Sequence, residues 1–229
     1  MSEFVKLTAS DGHELTAYVV KPEGTPKGAI VIVQEIFGIN AHIRSVVDGY
    51  AKEGYTVIAP ALFDRYERGV ELSYDGEDVK KAFELYGKLS PETALLDIDA
   101  AYRFLTGEGA KKVGVIGFCF GGLMAWISAT RGKTVGMEPA CCVGYYPGGV
   151  GSVATETPAC PVMLHFGGAD SHIGAEQREA VAKAHPDVQI FVYEGAEHGF
   201  NRDVWSSYHP ESAKLARERT LAFLQQNVG

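Results

Sequence analysis

The sequence predicts a doubly wound α/β fold: a mostly parallel sheet with helices on both faces. Three observations carry the prediction. Short apolar runs alternate with helix-length amphipathic segments along nearly the whole chain. The run at 29–33, AIVIV, is continuous and β-branched, as in a parallel strand buried on both faces. No linker, internal repeat or low-complexity tract interrupts the pattern, so residues 1–229 are read as one domain.

Taken in order, 14–20 alternates polar and apolar and predicts a half-exposed edge strand. After the strand at 29–33 comes the loop QEIFGIN, then a helix over about 42–53 with Gly54 at its C-terminal cap. Residues 55–59 form the next strand, closed by Pro60. Segment 61–75 shows no clean period and reads as an exposed excursion. Helices follow at about 76–88 and 91–107, the second opened by Ser90 as N-cap with Pro91 at the first helical position. Strands at 113–116, 141–145, 162–166 and 188–192 complete the sheet. Further helices begin near 123 and span roughly 174–184 and 210–226. Sheets of this kind place ligands at the carboxyl ends of their strands, so the loops there hold the functional candidates.

Composition narrows the function classes. Hydrophobic residues make up 46% and charged residues 22%, which excludes disordered and fibrous chains. The formal net charge is −8 and the sequence pI near 5.4, which speaks against an electrostatic nucleic-acid binder. The N-terminus lacks a basic stretch followed by an apolar core, and no apolar run is long enough to cross a bilayer, so a cytoplasmic, membrane-free protein is expected. Cysteines stand at 119, 141, 142 and 160 with no CxxC or CxxH spacing. Free thiols, no structural metal and no cofactor are the corresponding expectations.

The sharpest motif is Gly117-Phe118-Cys119-Phe120-Gly121-Gly122, which follows the strand VGVI and opens a helix. It has the form of the G-x-nucleophile-x-G elbow, with cysteine in the place usual for serine. The nucleophile of such an elbow sits in a strained turn, and flanking glycines let strand and helix pass closely. The helix N-terminus also favours an anion on the sulfur. The bland alternative is a buried structural cysteine in a glycine-rich turn.

A hydrolase elbow needs an acid and then a histidine, in that order, after later strands. Asp170 follows the strand VMLHF, and His198 follows VQIFVY just ahead of the last helix. His198 would move the proton, while Asp170 would orient its ring. Oxyanion donors are expected from the backbone N–H of Phe120 and from Ile36, with Phe37 as second choice. Glu35 reads either as a solvated loop carboxylate or as a buried partner of the thiol. The remaining histidines fit less well. His165 lies inside a strand as a core residue, and a metal pair with His172 lacks a third ligand at a usual spacing. His13, His42, His185 and His209 read as solvated surface residues. Gly149 to Ala154 matches GxGxxA, but no helix follows before Pro158, so dinucleotide binding is set aside.

At these residues the chain resembles the dienelactone hydrolase family, a cysteine branch of the α/β-hydrolases also described as carboxymethylenebutenolidase-like. The anchors are QEIFG at 34–38, PALFDR at 60–65, GFCFGG at 117–122, GYY at 144–146, GGAD at 167–170 and EHGF at 197–200. The resemblance implies an α/β-hydrolase fold, a Cys119–His198–Asp170 triad and an oxyanion hole from Ile36 and Phe120. It implies that Glu35 touches the resting thiol and, once displaced by a substrate carboxylate, helps deprotonate it. Arg202 matches a family arginine that holds that carboxylate. Tyr145 and Phe37 fall in the substrate pocket. A second family arginine aligns with Val79, leaving Lys80 or Lys81 as the neighbouring cation; lysine lacks the planar two-point contact of arginine. The resulting expectation is a hydrolase that opens a carboxylate-bearing lactone, from a pathway of aromatic degradation, as a monomer or homodimer. A broader carboxylesterase or thioesterase and a non-catalytic binding module are the alternatives.

Overall fold

The computed structural model describes residues 2–229. One eight-stranded sheet runs through the molecule in the order β1-β2-β4-β3-β5-β6-β7-β8. The strands are β1 (Ser2–Thr8), β2 (Glu14–Val20), β3 (Gly28–Val33), β4 (Tyr55–Pro60), β5 (Val113–Phe118), β6 (Cys141–Tyr145), β7 (Val162–Gly167) and β8 (Gln189–Tyr193). The first two are antiparallel to their neighbours, and β3 to β8 are parallel. The helices are α1 (Ala41–Lys52), α2 (Gly76–Tyr86), α3 (Pro91–Gly107), α4 (Phe120–Arg131), α5 (Ala175–Ala184) and α6 (Pro210–Asn227). Strands β3 to β7 are buried almost throughout, which follows from their unbroken apolar runs.

Two expectations are corrected. Residues 14–20 form a strand, but not the edge: β1 lies outside it and is exposed along most of its length. The segment 61–75 is not an exposed excursion. Leu62 to Arg65 make a short 3₁₀ turn with Leu62, Phe63 and Asp64 buried, and Val70, Leu72 and Tyr74 are buried as well. Gln34 holds this segment in place, since its side-chain oxygen accepts the N–H of Leu62 at 3.1 Å. The bridge Gly38–Glu71 and the bond from Leu72 N–H to Phe37 C=O at 2.9 Å fasten it further to the loop after β3. That loop is thereby fixed from two sides, as a site-forming loop must be.

Helix α1 begins where sequence logic places it. The Asn40 side chain accepts the N–H of Ile43 at 3.1 Å and donates to the carbonyl of Leu72 at 3.0 Å. The cap at its other end is Glu53, with Gly54 one residue beyond at φ 99°.

Candidate active site

Cys119 occupies the turn between β5 and α4 at φ 56° and ψ −117°, a region costly for any residue with a side chain. Its N–H is tied to the carbonyl of Tyr145 at 3.0 Å. The surrounding glycines are sterically required. A Cβ on Gly117 would stand 1.8 Å from the carbonyl oxygen of Gly121, and one on Gly121 would stand 2.2 Å from that of Val33. The thiol is thus lifted above the carboxyl end of the sheet, half-buried, at the N-terminus of α4. Phe120 opens that helix, so its N–H is one of the first-turn donors without an intrahelical acceptor.

The loops after β7 and β8 bring two further groups to this point. Asp170 Oδ2 lies 2.8 Å from His198 Nδ1, and its Oδ1 accepts the N–H groups of His172 and Ile173 at 2.8 and 3.1 Å. Burial opposes the Asp170 charge, but these bonds outweigh it and hold the carboxyl below its usual range. Cys119 is the other titratable group acting on His198. Burial disfavours an imidazolium here, yet the interactions with Asp170 and Cys119 win, and His198 is pushed up to about 10. Nδ1 donates to Asp170, which leaves Nε2 as the ring nitrogen available to Cys119. The rings of Tyr146 and His172 stand edge-on to His198 at 5.0 and 5.2 Å and fix its plane.

This arrangement has a pH signature. A pKa raised from 6.5 to about 10 stabilises the fold fully below 6.5, and the gain is lost as the pH climbs through about 10. Unfolding midpoints of the parent and of His198→Gln should therefore converge between those values. Curves that stay parallel from pH 6 to about pH 10 would contradict the assigned ion pair.

Among the described residues, the hydrogen-bond partners of the Glu35 carboxylate are Arg202 and Tyr74. Glu35 is fully buried, and its two oxygens accept Arg202 Nε at 2.9 and 3.1 Å while Tyr74 OH donates to Oε2 at 2.9 Å. A guanidinium and a phenol offer charge-assisted bonds that a weak thiol donor cannot match. Burial opposes the Glu35 charge, but Arg202, His42 and Tyr74 together keep the carboxyl below its ordinary range. The Arg202 guanidinium lies over the rings of Tyr74, Phe37 and Tyr146 at 4.8, 5.5 and 6.0 Å. A Cβ on Gly199 would come within 2.6 Å of the guanidinium carbon, so this glycine leaves room for the cation.

Ile36 and Phe37 lie buried on the same loop as Glu35. Tyr145 is corrected: its side chain turns into the core, where its hydroxyl bonds Thr220 at 2.8 Å. Tyr146 faces the site instead, because a φ of 36° at this residue breaks the strand alternation. Lys81 is also corrected. It pairs with Glu67, as Lys80 pairs with Glu77, on the outer side of α2. The inner side of α2 carries Val79, Ala82 and Leu85, and ends on Tyr86, whose ring meets Phe120 at 5.5 Å. His165 is a core residue bonded to Tyr193 and Thr220. His42 is not solvated: it is 3% exposed, and its Nδ1 lies 3.1 Å from Asp203 Oδ1. Tyr74 and His42 were invisible to the sequence reading because the loops that bury them come from distant parts of the chain. Only the aromatic type of Tyr74 hinted at a role.

A strand order with the elbow after β5, the acid after β7 and the histidine after β8 defines an α/β-hydrolase. Solved structures agree on that fold. An esterase of Pyrococcus furiosus, 19% identical, superposes with a TM-score of 0.71 over 100% of this chain and 91% of that one. A chain of Klebsiella pneumoniae assigned as a dienelactone hydrolase is 30% identical with a TM-score of 0.84, covering 99% of each chain. The dienelactone hydrolase family profile matches residues 15–228. The carboxymethylenebutenolidases of Pseudomonas putida and of Pseudomonas knackmussii are each 34% identical over 98% of this chain and 96% of theirs. The chain belongs to the dienelactone hydrolase family, and it is a hydrolase of ester or lactone bonds. Among the described residues no helix is long and apolar enough to cross a membrane.

Proposed function

We propose that this hydrolase opens a lactone bearing a free carboxylate, through an acyl-enzyme on Cys119. In this reading the thiol proton passes to Glu35, and the sulfur attacks the lactone carbonyl carbon. The oxyanion that develops is held by the N–H groups of Phe120 and Ile36. The His198 imidazolium then gives its proton to the departing ring oxygen, which stays attached to the acyl chain. Water, deprotonated by His198, next attacks the thioester carbon and frees Cys119. Asp170 keeps Nε2 aimed at the sulfur throughout.

The observation that carries the substrate class is the buried Arg202–Glu35 pair, whose glutamate adjoins Ile36. Arg202 is a cation whose present carboxylate partner belongs to the protein. A substrate carboxylate can take that place, releasing Glu35, the residue next to Ile36, from Arg202. The freed glutamate is then the base that draws the proton from Cys119, so chemistry begins only when the right ligand is bound. The carboxymethylenebutenolidase relatives support this reading.

A broader esterase is the second reading, and one observation favours it. The inner side of α2 is apolar, and Lys80 and Lys81 are committed to glutamates on its outer side. Arg202 would therefore hold a substrate carboxylate without a second cation. Turnover of dienelactone isomers should be measured beside that of neutral nitrophenyl esters. We expect kcat/KM to be larger for the carboxylate-bearing lactones by about ten- to a hundred-fold, the worth of one charge-assisted bond. Equal or greater turnover of the neutral esters would establish the second reading instead.

A further inference from the structure

The sulfurs of Cys142 and Cys160 lie 3.8 Å apart in hydrogen-bond contact, far from the elbow, at the opposite end of β6 and α4. Cys142 is fully buried on β6, whereas Cys160, just before β7, is half-buried and lines a pocket of about 250 Å³. The same pocket is lined by Ser128 and Lys133. The Ser128 hydroxyl is fully buried and has no hydrogen-bond partner among the described residues. A donor left unpaired in a cavity beside a thiol marks a place for a small oxygen-bearing molecule.

We propose that Cys142 and Cys160 form a peroxide-reactive thiol pair, with Cys160 as the attacked and Cys142 as the resolving sulfur. The division of roles follows from placement. Cys160 can be reached from the pocket, and Cys142 cannot. Burial pushes the Cys142 thiol up, while the contact with Cys142 pulls Cys160 down. The reactive anion therefore resides on the accessible sulfur.

The chemistry balances with a hydroperoxide as oxidant. The Cys160 thiolate attacks one peroxide oxygen, the O–O bond breaks, and the departing hydroxide takes a proton to leave as water. Ser128 is placed to donate a hydrogen bond to that oxygen. Cys160 is now a sulfenic acid. The Cys142 sulfur attacks it, the S–O bond breaks, and the hydroxide leaves as a second water with the Cys142 proton. Two thiols are oxidised to one disulfide, and the peroxide is reduced to two waters. The sulfurs need approach by less than 2 Å, from 3.8 Å to the bond length of about 2.0 Å. The bond from Cys142 N–H to the carbonyl of Pro161 at 3.0 Å already holds the two chain segments together. Cys141, next in sequence, does not take part, because strand alternation points it to the other face of the sheet.

The test is non-reducing peptide mapping of the intact chain after treatment with hydrogen peroxide. We expect a reductant-reversible crosslink between the peptides holding Cys142 and Cys160. In Cys142→Ser the sulfenic acid on Cys160 should persist and be captured by dimedone. In Cys160→Ser, Cys142 should stay reduced. Oxidation of Cys160 straight to sulfinic acid in the parent, or a crosslink to Cys141 or Cys119 in its place, would overturn the proposal. None of these readouts depends on turnover, so they stand apart from the substrate assignment.

Discussion

Cys119→Ala is expected to bring turnover below about a hundredth of the parent rate while leaving the fold intact. The reasoning is local. Alanine keeps the Cβ and occupies the same strained turn at φ 56°, so the elbow persists and only the sulfur is lost. Cys141→Ala, Cys142→Ala and Cys160→Ala remove sulfurs that sit away from His198 and should retain most activity. Steady-state rates on one activated ester, with unfolding midpoints for every variant, make the comparison. If Cys119→Ala kept more than about a hundredth of the rate, covalent catalysis at this residue would be wrong.

Arg202→Ala is expected to have the largest effect on stability. Glu35 is fully buried, and Arg202 provides both of its charged contacts. Removing one member of a buried pair leaves the other uncompensated, at a cost of about 3–5 kcal/mol. The double variant Arg202→Gln with Glu35→Gln removes both charges and should recover most of that loss, without regaining turnover of carboxylate-bearing lactones. In the parent, the lowered carboxyl of Glu35 adds stability that is present above its ordinary pKa of 4.5 and is lost as the pH falls through its native value. That acid-sensitive part should vanish in the double variant. Denaturant titrations from pH 3 to 7 provide the readout. An Arg202→Ala midpoint equal to that of the parent would mean that the pair contributes nothing to the fold.

Much of the architecture was legible because buried parallel strands announce themselves. The runs AIVIV, VGVI and CCVGY have no polar interruption, and in each case the structure places a strand there. The elbow was legible for a steric reason: only glycine fits at 117 and 121, so the motif is written into the chain. Strand β1 escaped notice because Leu7 is its one buried side chain, leaving no apolar face to read. Segment 61–75 escaped because its order comes from Gln34 and Gly38, a long way back in sequence, rather than from any period of its own. Tyr145 was placed in the pocket, but its hydroxyl bonds Thr220 in the core, and the neighbouring Tyr146 is the ring that meets His198. Glu35 sits on the loop where it was expected, with Arg202 and Tyr74 as its hydrogen-bond partners. The family resemblance put Arg202 near the site as a holder of substrate carboxylate, and did not reveal that Glu35 occupies it.

The account rests on a covalent bond between the Cys119 sulfur and the acyl group of the substrate. Rapid acid quenching of the enzyme during turnover of a slow nitrophenyl ester, followed by mass spectrometry of the intact chain and its peptides, looks for that bond directly. The expected result is one acyl group per chain, on the peptide containing Cys119, absent from Cys119→Ala and removed by hydroxylamine. Turnover with no acylated chain at any quench time, or an acyl group on a peptide lacking Cys119, would contradict it.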